Sequence, residues 1–250
     1  MPTTGINGFQ LHFELRGDGE PLLLLHGGMG IGDDWRLVFP ADPHGYRLIV
    51  PDFRGHGRST SPDEPFTFKA AADDVRKLLD RLKIDRAKAI GVSMGAKTLL
   101  HLSSVDPDRI DRMVLVSATP RFPDAMRAIA ATFTHEVFAA LPSADRDALR
   151  ARHVHGDEQI RRLYDMTRSF ATSYDDMAFT SASLAAIRAR TLIVHGDRDP
   201  LYPLELAVEL FRGITRSALW IVPGGAHGPI FGERAPRFRD EALAFLATPD

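Results

Sequence analysis

Short runs of branched and aliphatic residues alternate along this chain with longer stretches in which apolar positions recur every three or four residues. Leu22-Leu23-Leu24-Leu25 and Leu192-Ile193-Val194 are apolar at every position, which predicts strands buried on both faces. The strands expected are Phe9 to Leu15, Pro21 to Leu25, Arg47 to Val50, Ala87 to Val92, Arg112 to Val116, Thr191 to Val194 and Ala218 to Val222. Between them Phe68, Ala71, Ala72, Val75, Leu78, Leu79 and Leu82 mark one face of a helix, with Asp73, Asp74, Arg76, Lys77 and Asp80 on the other. Phe238, Leu243, Phe245 and Leu246 predict a second such helix that stops shortly before Pro249. Strands alternating with helices imply an α/β fold, a mainly parallel sheet covered by helices.

The alternation breaks between about Arg121 and Ala186, where helical patterns run on without a strand. Residues 121–186 are therefore expected to form a helical cap, with 1–120 and 187–250 as the core. A segment that leaves the sheet and returns to it lies above one edge as a lid. Its aromatics and methionines, among them Met166, Tyr174, Met177 and Phe179, are candidates to line an apolar pocket, although most of the set is expected to pack cap onto body and a minority to face substrate. Met126, Phe133, Met166 and Phe170, with Met29 from the core, are the candidates for contact with a substrate.

With 250 residues, 44% of them hydrophobic, the chain can bury one sizeable core plus an insertion. The formal charge of -2, from 31 basic and 33 acidic residues spread along the chain, leaves no block of one sign for nucleic acid or an anionic membrane. There is no cysteine, so disulfides, thiolate catalysis and cysteine-ligated metals are excluded. No stretch approaches the roughly 18 apolar residues of a membrane span, and Met1 to Asn7 does not read as a signal peptide. A soluble, cytoplasmic monomer or homodimer acting on a small molecule is expected.

Gly91-Val92-Ser93-Met94-Gly95 follows the run Ala87 to Val92 directly. A serine hydroxyl is a poor nucleophile at neutral pH, so it needs a base beside it and a tight, exposed turn to lift it off the sheet. The base needs a carboxylate to hold its tautomer. His195-Gly196-Asp197-Arg198-Asp199-Pro200 follows one later strand, and Pro223-Gly224-Gly225-Ala226-His227-Gly228 follows the next. Both stretches stand at the carboxyl ends of strands, where ligands gather in open α/β sheets. Ser93, Asp199 and His227 are the candidate triad; Asp197 is the competing acid, expected instead to bond backbone within its turn. The oxyanion needs two fixed N–H donors. Met94, at a helix start, supplies one, and the turn His26-Gly27-Gly28-Met29-Gly30 the other, through Gly28 or else Met29. No histidine pair has the HExxH ligand spacing, so no metal and no organic cofactor are implied; His153 and His155 are expected in solvent.

His26-Gly27-Gly28, Asp52-Phe53-Arg54-Gly55-His56-Gly57-Arg58-Ser59, the serine turn, Gly196-Asp197-Arg198-Asp199 and His227 together resemble the α/β-hydrolase fold family over nearly the whole chain outside the cap. The resemblance implies an eight-stranded, mostly parallel sheet with a helical cap after the sixth strand, Asp199 as the triad acid and the Gly28 turn as part of the oxyanion hole. It makes Asp52 to Ser59 a structural turn, with Arg54 and His56 as supports. Dehalogenases and epoxide hydrolases of this fold carry aspartate where this chain has Ser93, which argues against alkyl-enzyme chemistry. Carbon–carbon bond hydrolases often have asparagine where it has Val92, which counts against ring-cleavage-product hydrolysis. Many small esterases and enol-lactonases have glycine where it has Ala96, which leaves the subfamily open.

These readings converge on a serine hydrolase of carboxylic esters, a carboxylesterase-like enzyme with lactones and thioesters as near neighbours. Two rivals use the same residues differently. One is a ligand receptor that keeps the triad, turns over slowly and signals by cap movement; the other is a lyase or cofactor-free oxygenase in which His227 acts mainly as a base.

Overall fold

In the computed structural model, which describes residues 2–248, the expected strands are present and most are slightly longer than their apolar runs. They are β1 (Thr3–Ile6), β2 (Phe9–Gly17), β3 (Glu20–Leu25), β4 (Tyr46–Pro51), β5 (Ala87–Val92), β6 (Ile110–Val116), β7 (Arg190–Gly196) and β8 (Ser217–Val222). β1 has no counterpart in the sequence pattern. Its Thr-Thr-Gly-Ile run buries only Ile6, so it offers almost no periodic signal, and it pairs at the sheet edge.

The eight strands form one sheet in the order β1-β2-β4-β3-β5-β6-β7-β8. β1 and β2 run antiparallel, and every pairing from β4 to β8 is parallel. Alternation within the apolar strands splits the core into two layers. Leu23 and Leu25 of β3 join one apolar cluster with Ile49, Ala89, Met113, Leu115 and Ile193. Leu22 and Leu24 join the other with Leu48, Val50, Ile90, Val114 and Val194.

The helices are α1 (Phe68–Arg81), α2 (Met94–Val105), α3 (Asp124–Ala131), α4 (His135–Ala140), α5 (Ser143–Arg152), α6 (Asp157–Ser169), α7 (Ser181–Ala185), α8 (Leu204–Gly213) and α9 (Ala235–Ala247), and some of them cover each layer. The periodic face Phe68, Ala71, Val75, Leu78 and Leu79 of α1 packs on the first layer beside α2 and α8. Phe238, Ala242 and Leu246 of α9 cover the second, next to Trp35 and Phe39.

Helices α3 to α7 occupy the connection from β6 to β7. Where this segment leaves and re-enters the body its two ends are joined: Arg121 and Ala178 form an antiparallel bridge, and the Phe179 N–H donates to the Pro120 carbonyl at 3.1 Å. Helix α7 packs with the body, because Leu184 lies in the same apolar cluster as Ala207 and Leu210 of α8. The far end of the cap is tied to the Asp52–Ser59 turn. Gln159 Nε2 donates to the Gly55 and Gly57 carbonyls at 3.1 and 3.0 Å, and the Gly57 N–H donates to His153 Nδ1 at 3.0 Å.

That contact corrects the expectation of a solvated His153, whose ring is fully buried while His155 lies at the surface. Burial, reinforced by the neighbouring Arg152 charge, lowers the His153 pKa to about 4, so the ring is neutral and free to accept. Arg54 and His56 are supports, as expected. Arg54 pairs with Asp74 at 2.6 Å, and His56 is buried with Nδ1 3.0 Å from the Arg54 carbonyl. Among the described residues no helix is long and apolar enough to cross a membrane.

Candidate active site

β3 and β5 lie side by side, with Leu25 opposite Gly91, but the chain leaves them in opposite directions, to β4 on one side and β6 on the other. The crevice opened at such a switch point is where open α/β sheets hold ligands. Ser93 stands there, in the turn between β5 and α2, with φ 52° and ψ -102°. A non-glycine residue in that region is strained, and the strain persists only because the surroundings enforce it. Two close approaches do so. A Cβ on Gly91 would stand 2.5 Å from the Gly95 carbonyl carbon, and one on Gly95 would stand 2.2 Å from the Leu25 carbonyl oxygen. Only glycine at both places lets helix, turn and strand come this near.

Ser93 Oγ lies 2.8 Å from His227 Nε2, and His227 Nδ1 lies 2.8 Å from Asp199 Oδ2. Asp199 also accepts the N–H groups of Leu201 and Tyr202 at Oδ1, at 2.8 and 3.1 Å. Burial opposes its ionisation, but the hydrogen bond and charge of His227 and these two N–H donors outweigh it and hold the pKa below the ordinary aspartate value. The backbone-bonding role expected of Asp197 thus falls to Asp199 itself, while Asp197 points to solvent. The loop carrying His227 is pinned by a bond from the Gly228 N–H to Ser117 Oγ at 3.0 Å.

Beside Ser93, the N–H groups of Met94, Gly28 and Met29 donate to no acceptor among the described residues. Gly28 and Met29 sit on a turn closed by the Gly30 N–H to Gly27 carbonyl bond, and the Gly95 N–H to His26 carbonyl bond ties this turn to the start of α2. Met29 has φ 57°, so the backbone turns over directly after these two donors. His26 is scaffold: Nε2 accepts the Phe53 N–H and Nδ1 contacts the Gly27 carbonyl.

Ser93, His227, Gly28 and Met94 open onto one cavity of about 370 Å³. Its walls are mostly apolar and include Met29, Met126, Phe133 and Phe170 of the candidates, together with Trp35, Ile129, Leu201 and Phe231. Met166 is not among them and is a correction. It lines a separate hollow with Arg54, Phe66 and Leu163, because successive helical residues point about 100° apart and it is Thr167 of α6, with Phe170 just past its end, that lines the cavity of Ser93. Tyr174, Met177 and Phe179 flank a further hollow with Arg121 and Arg127.

Two wall residues escaped the sequence reading. Lys97 is 3% exposed, with Nζ 2.8 Å from the Tyr202 hydroxyl and over the rings of Phe68, Phe122 and Tyr202. Tyr202 in turn lines the cavity with Ser93 and sets its ring edge-on to His227 with centroids 5.2 Å apart. A lysine as the single charge in the stretch Met94 to Leu102, on a helix start directly after the serine turn, was the available signal. Arg152, also on the wall, is paired with Asp34. Among the described residues no group of three or more histidine, aspartate or glutamate side chains is placed to hold a metal ion.

Comparison with known proteins gives a family model for the alpha/beta hydrolase fold matching residues 20–233. The 2-hydroxymuconate semialdehyde hydrolase of Pseudomonas sp. (strain CF600) is 29% identical over 97% of this chain and 92% of its own length. The enol-lactonase of Burkholderia xenovorans LB400 superposes with a TM-score of 0.79 at 25% identity, covering 99% of this chain and 100% of that one. A meta-cleavage product hydrolase from Pseudomonas fluorescens IP01 does so with a TM-score of 0.77 at 25% identity, covering 98% and 97%.

Proposed function

This chain belongs to the α/β-hydrolase family, and on that premise we propose that it is a serine hydrolase cleaving carboxylic esters, with lactones as close alternatives, through an acyl-enzyme. The observation that carries the reading is the unbroken hydrogen-bonded line from Ser93 through His227 to Asp199, each step 2.8 Å long, ending at a cavity with unpaired backbone N–H groups.

The chemistry follows from that line. As Ser93 Oγ bonds to the acyl carbon, its proton passes to His227 Nε2, and the imidazolium so formed is stabilised by the Asp199 carboxylate. The carbonyl oxygen becomes an oxyanion that takes the N–H of Met94 and that of Gly28 or Met29. When the tetrahedral centre collapses, the C–O bond to the alcohol breaks and His227 returns its proton to the leaving oxygen. Water, deprotonated by His227, then attacks the acyl-enzyme and releases the acid and Ser93. Met126, Phe133, Phe170 and Met29 give the acyl chain an apolar wall, and no cofactor is needed for any step.

The test uses short-chain esters and a phosphonate probe on the wild type and Ser93→Ala. Turnover and labelling are expected in the wild type alone. A wild type inert to both, or turnover surviving Ser93→Ala, sinks the proposal. The named activities of two relatives favour a second reading, hydrolysis of a carbon–carbon bond next to a carbonyl by the same groups. A 6-oxo-dienoate assayed beside the esters separates the two, and faster ester turnover is the expected result.

A further inference from the structure

Lys97 poses an electrostatic question that acyl transfer by Ser93, His227 and Asp199 does not answer. An ammonium taken out of water is costly unless paired. Lys97 is 3% exposed, and among the described residues no carboxylate forms an ion pair with it. Its single hydrogen-bond partner is the Tyr202 hydroxyl, and three aromatic faces surround it at 5.0 to 5.7 Å. An ammonium has three N–H donors, so two remain unused. The other cation of the cavity, Arg152, is already neutralised by Asp34.

The position is as telling as the charge. Lys97 follows Ser93 by four residues, one turn along the same face of α2, and both line the cavity. The Tyr202 hydroxyl is bonded to Lys97 at 2.8 Å, and Tyr202 lines the same cavity as Ser93. Residues four apart on one helix face have Cβ atoms about 5–6 Å apart, so the ammonium and the nucleophile enter the cavity as neighbours. Lys97 is 3% exposed, whereas His227, which hands its proton to the departing alcohol, is 23% exposed, so the lysine is the more enclosed of the two.

Resting on the esterase reading, we propose that Lys97 and Tyr202 form a subsite for a carboxylate carried on the acyl half of the substrate, two to three carbons from the reacting carbonyl. The substrate class is then the half-ester or lactone of a dicarboxylic acid. The anion completes the ion pair that Lys97 lacks, the Tyr202 hydroxyl and the free ammonium protons bond its oxygens, and the apolar rings strengthen the pair by excluding water. Burial, opposed only by the more distant Asp199, lowers the Lys97 pKa to about 7. Binding an anion there draws a proton onto the lysine at mildly alkaline pH. The titratable groups that act on it are Tyr202 and Asp199; Phe68 and Phe122 carry none.

Monomethyl succinate and monomethyl glutarate are compared with methyl butanoate and methyl pentanoate, with acid release followed by pH-stat. In the wild type kcat/KM is expected to favour the half-esters by about ten- to a hundredfold, the range of a hydrogen bond to a charged group, and in Lys97→Met the preference falls to one or below. Wild-type preference for the neutral esters, or a preference untouched by Lys97→Met, overturns the subsite. Inertness to all four esters would instead strike the esterase reading. For that case, calorimetry of monomethyl glutarate binding to Ser93→Ala at pH 8, in buffers of different ionisation heat, tests the subsite separately. Uptake of close to one proton per ligand, lost on adding Lys97→Met, supports it. Binding without uptake, or no binding, overturns it.

Discussion

Asp197 and Asp199 differ by two positions and by every contact that matters to chemistry. Asp199→Asn leaves the turn in place but removes the charge that stabilises a protonated His227, so kcat is expected to fall about 10⁴-fold, the effect of such a change in serine proteases. Asp197→Asn, at the surface, is expected to change kcat by less than tenfold; steady-state kinetics on the two variants decides, and the reverse ranking would reassign the acid. At Gly95 the constraint is steric. Gly95→Ala puts a methyl 2.2 Å from the Leu25 carbonyl oxygen, in a contact between backbones that neither can relieve. A loss of about 1–3 kcal/mol is expected, read as a melting point lower by about 2–12 °C, and an unchanged melting point would refute the packing argument. Such glycines were legible from the chain alone because a turn is local. Lys97 and Tyr202 were not, since the bond that defines them joins residues 105 positions apart.

At the level of elements, strands were read well where burial on both faces removed all ambiguity, and β1 was missed because one buried residue in four makes no pattern. The cap was legible as helical, but which side of α6 faces the cavity was not: Met166 and Thr167 are neighbours in sequence and look into different hollows. The attachment of that helix was hidden as well. His153 looked like a surface residue because its role depends on Gly57, 96 positions away. His153→Ala leaves the Gly57 N–H buried without an acceptor, at a cost of about 1–3 kcal/mol. Hydrogen exchange is expected to speed up in α5 and α6 while β5 and β6 stay protected. Uniform acceleration over the whole chain would show that the contact is not a local latch.

For the molecule as a whole, burial decides the response to acid. His12, His26, His56, His101, His153 and His195 all have pKa values lowered chiefly by burial, to about 4 for His153. The unfolded chain takes up protons at these positions near pH 6.5, while the folded chain refuses them until lower pH. The unfolded state therefore binds more protons between about pH 6.5 and 4, and stability rises with pH across that window. A melting point that drops steadily from pH 7 to pH 5 is expected in a thermal series, and a flat one would mean these rings are hydrated. The bridge between Arg121 and Ala178 acts at the same scale. Because entry and exit meet there, the 56 residues between them, 122–177, behave as a cassette plugged into a fixed socket. The register of β6 against β7 is then set without them, and what holds the cassette in its socket is a few plugs, Met126 and Phe170 in the apolar core and Gln159 on the Gly55 and Gly57 carbonyls.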